Sequence, residues 1–175
     1  MSGRVKRRFA LTFLGGAGLA SVGLAGCGFK LRGAQTYPFE TIAVQPHPGG
    51  PLVIALRRSF GGAVKVLPLT EPLKNANVVI EILQEAREKT VVGVNSSGQV
   101  REFQLRIRVR FRVRTPDGEE LLPDTEILQR RDLSFNESAS LAKEAEEALL
   151  YRDMQNDLVQ QLLRRLAAVK YAAQP

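Results

Sequence analysis

The sequence predicts an α+β fold, a two-layer sandwich in which two helices pack on one face of a four-stranded mixed β-sheet with a long antiparallel hairpin. Three patterns support this prediction. Residues 103–114 alternate between apolar and charged side chains, which is the period of a strand with one buried face. Residues 78–89 show a similar alternation on the other side of a turn. Residues 141–169 carry apolar residues at steps of three and four, the period of an amphipathic helix.

The first 26 residues have the features of a secretory signal peptide. Four basic residues lie before residue 9, and an uncharged run that contains four glycines follows as far as Leu24. This run is shorter and richer in glycine than a membrane-spanning helix, which needs about 20 apolar residues. Leu24-Ala25-Gly26-Cys27 has the form of a bacterial lipobox, so we predict cleavage before Cys27 and lipidation of that cysteine. An uncleaved membrane anchor is the alternative.

The domain organisation follows from this signal. We predict a cleaved signal peptide over residues 1–26, a lipidated tether over 27–40, a single α/β sandwich domain over 41–170 and a tail over 171–175. A mature chain of 149 residues (175 − 26) has the size of one domain. Because the signal holds four basic and no acidic residues, its removal lowers the formal net charge from +7 to +3. Export also argues against nucleic acid as a partner.

Membrane attachment through acylated Cys27 would be firm, because two or more acyl chains hold a protein stably. In many Gram-negative bacteria an Asp directly after the cysteine retains a lipoprotein at the inner membrane. Gly28 occupies that position here, so we expect localisation at the outer membrane.

The first part of the domain contains two short β-rich runs, residues 41–44 and 64–67, on either side of a helix. Pro51 suits the first position of that helix, and Gly61-Gly62 ends it. A strand, a helix and a strand within about 27 residues could form a small βαβ unit with parallel strands.

The turn at residues 95–98 predicts the register of the long hairpin. If the turn centres between Ser96 and Ser97, apolar residues face apolar residues on one side, and charges face opposite charges on the other. Positive charge then remains unmatched near the turn. The expected pairs are Ile80–Val113, Glu81–Arg112, Ile82–Phe111, Glu85–Arg108, Arg87–Arg106 and Lys89–Gln104.

A row of arginines follows the polar face of the second hairpin strand. Side chains on one face of a strand repeat every ~6.6 Å, and arginine offers two parallel donors to a phosphate or a carboxylate. Two interpretations remain open: a solvated outer face with partial cross-strand pairing, or a docking surface for the phosphates of a ligand or the acidic residues of a protein partner. The row consists of Arg106, Arg108, Arg110, Arg112 and Arg114.

The last part of the domain contains a turn at Pro116-Asp117-Gly118, a fourth strand over residues 125–135 and a helix from about Leu141 to Val169. Glutamates near the start of this helix suit the helix dipole, which explains them more simply than a metal site. The apolar positions expected to face the sheet are Ala145, Ala148, Leu149, Leu158, Leu162, Leu166 and Val169.

An enzymatic function is not expected. The chain has one histidine, and its single cysteine would be acylated, so neither a nucleophile–base–acid set nor a cluster of metal ligands can be assembled. No glycine-rich phosphate loop is present. We therefore predict no catalytic residues, no metal and no cofactor.

Two stretches resemble the LPS-assembly lipoprotein family, LptE. They are the mature start Cys27-Gly28-Phe29-Lys30-Leu31-Arg32-Gly33 and the hairpin segment from Gly98 to Leu105. The resemblance implies a lipoprotein on the periplasmic side of the outer membrane that lies in the lumen of the β-barrel LptD. It implies that the chain supports assembly of the barrel, plugs it and contacts LPS on the way to the cell surface. A periplasmic scaffold lipoprotein without a role in LPS transport is the alternative.

The resemblance also implies a contact between Lys143, within Leu141-Ala142-Lys143, and LPS. The family's other basic contact falls on Ser96, and Arg101 or Lys89 near the hairpin tip could replace it. The predicted contacts with LPS or the barrel are Lys143, Arg101, Lys89, Arg106, Arg108, Arg110 and Arg112.

Overall fold

The computed structural model describes residues 35–46, 49–68 and 70–172. The predicted signal peptide, most of the tether, Cys27 and the last three residues lie outside the described residues. Within the described part, neither helix is long and apolar enough to cross a membrane.

Five strands form one mixed sheet in the order β2-β1-β3-β4-β5, and two helices accompany them. β1 is parallel to both β2 and β3, whereas β4 is antiparallel to both of its neighbours, β3 and β5. The predicted α+β class, with a mixed sheet and two helices, is confirmed. The elements are β1 (Thr41–Gln45), α1 (Pro51–Ser59), β2 (Lys65–Val66), β3 (Val78–Val94), β4 (Val100–Arg114), β5 (Glu120–Ser134) and α2 (Ser140–Ala167).

The predicted count of four strands is wrong. The short run at residues 64–67 forms the edge strand β2, and counting it brings the sheet to five strands. Only Lys65 and Val66 pair with β1, so this strand has too few residues for an alternating pattern. Its place depends on the crossover through α1, which sets it parallel to β1 as expected for a βαβ unit.

Both helices pack on one face of the sheet and share one apolar core with it. Leu52 and Leu56 of α1 and Leu158 and Leu162 of α2 are fully buried there. A smaller cluster lies at alternate strand positions, which places it on the opposite face near the connection from β2 to β3. That cluster consists of Ala43, Leu67, Ala76 and Val79.

Only the second half of α2 contributes fully buried side chains to this core, and they run from Met154 to Leu166. The expectation that Ala145, Ala148 and Leu149 also face the sheet is wrong, because all three are exposed. At 3.6 residues per turn, positions nine apart lie on opposite sides of a helix. Leu149 therefore points away from the sheet when Leu158 points toward it.

The hairpin continues beyond this core, whose last buried residues toward the tip are Leu105 on β4 and Leu133 on β5. β3 has no buried residue after Ile82, although it continues for twelve more residues to Val94. At ~3.3 Å per residue the whole strand spans ~53 Å. We call the extended part the distal half. It comprises residues 83–108 of the hairpin together with residues 128–134 of β5 and residues 140–151 of α2.

The tip of the hairpin is fixed by local hydrogen bonds. The Oδ1 atom of Asn95 accepts from the backbone N–H groups of Ser97 and Gln99, at 3.0 and 2.9 Å. Gly98 has a φ of 78°, a conformation that favours glycine. The predicted turn at residues 95–98 therefore has a local physical cause.

The hairpin register agrees with the prediction near the start of β3. The pairs Ile80–Val113, Glu81–Arg112 and Ile82–Phe111 are all present. Beyond them, β3 contains a β-bulge at Leu83, so that Gln84 faces Arg110 and the register shifts by one. An inserted residue exchanges the two faces of the strand that follows it.

The predicted pairs beyond the bulge are therefore wrong. Glu85, Arg87 and Lys89 do not lie beside the arginine row but on the face that carries the helices. Their observed partners on β4 are Val109, Ile107 and Leu105, in place of the predicted Arg108, Arg106 and Gln104.

Glu81 is the acidic partner for one end of the arginine row. Its carboxylate accepts from the Nε atoms of Arg112 and Arg114, and Arg114 Nη2 lies 2.7 Å away. Desolvation by burial alone would raise the pKa of Glu81, but the hydrogen bonds and charges of Arg114 and Arg112 outweigh it and lower this pKa from its ordinary value. The folded chain therefore favours the ionised carboxylate.

The core assignment predicts where truncation is costly. Leu162→Ala should destabilise the fold by about 2–5 kcal/mol, because it leaves a cavity in a fully buried site. Leu141→Ala, at a residue that is 81% exposed, should change stability by no more than about 0.5 kcal/mol. Urea unfolding of the two variants measures both effects, and equal losses would contradict the assignment.

The lowered pKa of Glu81 predicts a pH-dependent contribution to stability. The contribution is complete above the unfolded-state pKa and is lost as the pH falls through the lower folded-state pKa. Glu81→Gln should therefore be less stable than the unmodified chain at pH 7, and the gap should close as the pH falls below about 4.5. Melting temperatures from pH 7 to pH 3 measure the gap. A gap of constant size would show that ionisation of Glu81 does not contribute.

Candidate functional site

The predicted binding residues lie on both faces of the sheet and near the hairpin tip. Arg106, Arg108, Arg110 and Arg112 alternate on the face of β4 opposite the helices, which we call the open face. Lys89 lies on the helix-bearing face of β3, Lys143 lies in the first turn of α2 and Arg101 lies near the hairpin tip.

The arginines at the end of the row nearest the core all form close ion pairs. Arg112 and Arg114 share Glu81. Arg110 forms an ion pair with Asp124, which lies where the pairing of β4 and β5 is irregular. This end of the row therefore matches the interpretation of a solvated face with cross-strand pairs.

The other end of the row is not neutralised in the same way. Arg108 reaches Glu126 only at 3.8 Å, and its Nε is buried without a hydrogen-bond partner. Arg106 donates from Nε to Gln104 Oε1 at 2.7 Å, and no carboxylate in the described part of the chain lies within ion-pair distance of it. Across the strands, Arg106 faces Arg130. Arg130 is not among the predicted binding residues, because its position beside Arg106 follows only from the pairing of β4 with β5.

Lys89 is engaged within the fold. Its Nζ lies 2.6 Å from Glu147 Oε2 on α2 and 4.3 Å from the ring centroid of Phe103. A cation held between a carboxylate and an aromatic face is stabilised by both. Lys89 therefore joins the hairpin to α2, and this contact argues against Lys89 as a freely available ligand contact.

Arg87 makes a second contact of this kind, which the sequence analysis did not foresee. Arg87 Nη2 donates to Gln155 Oε1 at 2.6 Å, and its guanidinium lies 5.6 Å from the ring centroid of Tyr151. Tyr151 donates its hydroxyl to the backbone oxygen of Glu88 at 2.9 Å. Burial and the charge of Glu147 raise the pKa of Tyr151 above its ordinary value, so the phenol keeps the proton that it donates.

Lys143 and Arg101 differ in their surroundings. Lys143 Nζ lies 3.0 Å from Ser134 Oγ and 2.8 Å from Glu146 Oε2, and its side chain is 20% exposed. Arg101 is exposed and has no ion pair with any described residue. Of the three candidates near the tip, Arg101 is therefore the most available to a ligand.

Exposed apolar side chains concentrate in the distal half. Nine large apolar residues of the described chain are at least 38% exposed, and all but Ile54 and Leu73 belong to this half. They occur on the hairpin, on β5 and on the outer side of α2. Concentrated exposure of this kind marks interaction surfaces. The seven residues are Leu83, Val91, Val92, Val94, Leu128, Leu141 and Leu149.

An open cleft lies between the start of α1, β3 and α2. Arg87, Glu144, Tyr151 and Arg152 line it together with neighbouring residues. Both signs of charge are present in its wall. Within the described ranges, no group of three or more His, Cys, Asp or Glu side chains is arranged to hold a metal ion.

Known proteins resemble this chain over most of its length. The family model described as LptE, lipopolysaccharide-assembly, matches residues 39–166. The LPS-assembly lipoprotein LptE of Yersinia enterocolitica is 31% identical over 158 residues, which are 89% of this chain and 75% of that protein. LptE of Photorhabdus laumondii is 31% identical over 160 residues, which are 89% of this chain and 85% of that protein.

Solved structures share the fold. The solution structure of a lipoprotein B from Nitrosomonas europaea has a TM-score of 0.70 and 38% identity, and the match covers 81% of this chain and 91% of that one. The rare lipoprotein B from Shewanella oneidensis has a TM-score of 0.62 and 21% identity, over 74% of this chain and 95% of that one. The latter match supports the fold alone.

These matches confirm the resemblance carried by the two sequence motifs. They also confirm that the chain is not an enzyme, because the family is one of non-enzymatic lipoproteins. The chain belongs to the LptE family of lipopolysaccharide-assembly lipoproteins.

Proposed function

We propose that this chain is an outer-membrane lipoprotein that binds and plugs the LPS-translocating β-barrel LptD, aids its assembly and assists delivery of LPS to the cell surface. Family membership supports a role in LPS assembly. The observation that carries the barrel partnership is the concentration of exposed apolar side chains in the distal half.

The directions in which these side chains point favour an enclosing partner. Val91 lies on the helix-bearing face of the sheet, Leu128 lies on the open face and Leu149 lies on the outer side of α2. A flat partner would cover one of these surfaces and leave the others in water. The lumen of a barrel would cover all three, and burying apolar area is favourable by about 25 cal/mol per Å².

The first described residues lie at the end of the domain opposite the hairpin tip. Gln35 is the first described residue, and Tyr37 packs on Phe60 with ring centroids 5.7 Å apart. β1 and β3 start side by side, because Ile42 pairs with Val78. None of these residues belongs to the distal half that is proposed to enter the partner.

Contact with LPS is proposed at the hairpin tip, through Arg101. Its guanidinium is exposed and has no ion-pair partner among the described residues, and arginine binds phosphate with two parallel donors. Lys143 is a further candidate, but it would have to exchange Ser134 and Glu146 for the ligand. Lys89 would have to leave Glu147 and Phe103.

Purification of the tagged full-length chain from detergent-solubilised membranes should recover a β-barrel protein in about equal amount. Val92→Ser combined with Val94→Ser should weaken this association by about tenfold, which corresponds to ~1.4 kcal/mol. Ile54→Ser combined with Leu73→Ser removes two exposed apolar side chains outside the distal half and should leave association unchanged. Absence of a barrel from the unmodified preparation would reject the proposed partnership.

Cys27→Ala should abolish lipidation and release the chain from the membrane, since the acyl chains supply the attachment. Mass spectrometry of the mature amino terminus and membrane fractionation measure the two effects. Substituting Gly28→Ala in a second variant keeps the cysteine and should leave both unchanged. A Cys27→Ala chain that stays bound to membranes lacking the barrel would contradict the proposed anchor.

A further inference from the structure

Three arginines occupy neighbouring positions on the open face of the distal half. Arg106 of β4 faces Arg130 of β5 across the sheet, and Arg108 is the next residue on the same face of β4. We call these three residues the arginine cluster. Residues directly opposite in an antiparallel pair have Cβ atoms about 4.5–5.5 Å apart, and like charges at such positions destabilise the pair. The fold therefore tolerates an unfavourable interaction here.

Nearby acids do not neutralise the cluster. Glu88 faces Arg106 from β3, and Asp132 lies two residues from Arg130 on the same face. Neither carboxylate comes within 4.0 Å of a described arginine, and Asp132 instead accepts a hydrogen bond from Gln104 at 3.0 Å.

The third arginine is paired only loosely. Arg108 lies 3.8 Å from Glu126, and its buried Nε has no hydrogen-bond partner. A buried donor without a partner costs about 1–3 kcal/mol. A carboxylate from outside would reduce the repulsion between Arg106 and Arg130 and would give the cluster a closer partner than Glu126.

The arginines at the other end of the row have closer acidic partners than the arginine cluster has. There, Glu81 and Asp124 form close ion pairs with Arg110, Arg112 and Arg114. The same three strands therefore provide close ion pairs at one end of the row, whereas at the other end the described chain has only the 3.8 Å pair of Arg108 with Glu126. Stability alone would favour pairing at both ends, since like charges that face each other cost energy.

We propose that the arginine cluster binds carboxylate side chains of an acidic segment on a protein partner. This inference rests on the proposed function, in which the barrel wall supplies that segment. Charge complementarity fixes the chemistry, because a carboxylate accepts two parallel hydrogen bonds from one guanidinium. Leu128 faces Arg108 and is 47% exposed. Arginine beside exposed apolar surface is typical of the centre of a protein interface.

The test compares two double variants of the full-length lipidated chain co-expressed with its barrel. Arg106→Gln with Arg130→Gln neutralises two members of the cluster. Arg110→Gln with Arg112→Gln removes the same charge from arginines that are already paired within the fold. Dissociation of each purified complex is measured at low and high salt, and the melting temperature of each free chain is measured separately.

The cluster variant should keep or raise the melting temperature, because it removes a like-charge contact. Its complex should dissociate about tenfold faster, and that rate should respond less to salt than the rate of the unmodified complex. The free control variant should melt at a lower temperature than the unmodified chain. At temperatures below the melting points of both chains, its complex should dissociate at the rate of the unmodified complex. Arg106→Lys with Arg130→Lys should give an intermediate rate, since lysine keeps the charge but loses the two-pronged geometry.

Three results would overturn the inference. The first is unchanged dissociation of the cluster variant while the unmodified chain binds the barrel, and this result leaves the proposed function intact. The second is a loss of melting temperature equal to that of the control, which would assign the cluster a structural role. The third is weakened binding to LPS micelles with normal binding to the barrel, which would identify phosphate as the ligand. Failure of the unmodified chain to bind any barrel would reject the proposed function itself.

Discussion

The β-bulge at Leu83 decides which charged residues of β3 lie on each face of the sheet. Before the bulge, Glu81 lies on the open face and pairs with Arg112 and Arg114. After it, the charged residues of β3 at odd positions lie on the helix-bearing face. A single extra residue thus removes Arg87 and Lys89 from the surface of the arginine row and brings them to α2. Without it, both cations would add to the positive charge of the open face.

The apolar core narrows toward the hairpin tip. In the half nearest α1, the sheet and both helices contribute many buried side chains to it. In the described distal half only Leu105, Ile107 and Leu133 are fully buried, and Leu150 and Tyr151 of α2 pack against the core. The ion pair of Lys89 with Glu147 and the hydrogen bonds of Arg87 and Tyr151 add polar contacts between α2 and the hairpin. Exposed ion pairs contribute little to stability, about 0–1 kcal/mol each, and the seven exposed apolar side chains of this half remain uncovered in the free chain.

This division connects the fold to LPS assembly. The proposed function inside a barrel would require a core that folds alone and a surface that is completed only by the partner. The apolar residues of the distal half and the arginine cluster both carry an energetic cost in the free chain. Natural proteins retain such costs where binding removes them. The family relationship shows a role in LPS assembly, and the exposed apolar residues of the distal half are the feature of this chain that supports the proposed partner.

The sequence by itself determined the class of the fold and the approximate positions of its longer strands and of both helices. Alternation on β4 is strict from Phe103 to Arg114, so one buried face was evident, and the register from Ile80 to Ile82 followed from matching apolar and charged residues. The family was also evident, because its two motifs are local. The position of Cys27 in a lipobox gave the expected anchor in the same way.

Only the tertiary structure decided which charges meet. From Gln84 to Thr90, β3 carries polar residues on both faces, so the sequence contains no apolar signal that reveals a one-residue shift. The two halves of α2 show a similar ambiguity, since small apolar residues such as Ala145 suit either side of a helix. Ion pairs depend on which side chains lie within about 4 Å, and that distance is set by the bulge and by the packing of α2 rather than by any local pattern.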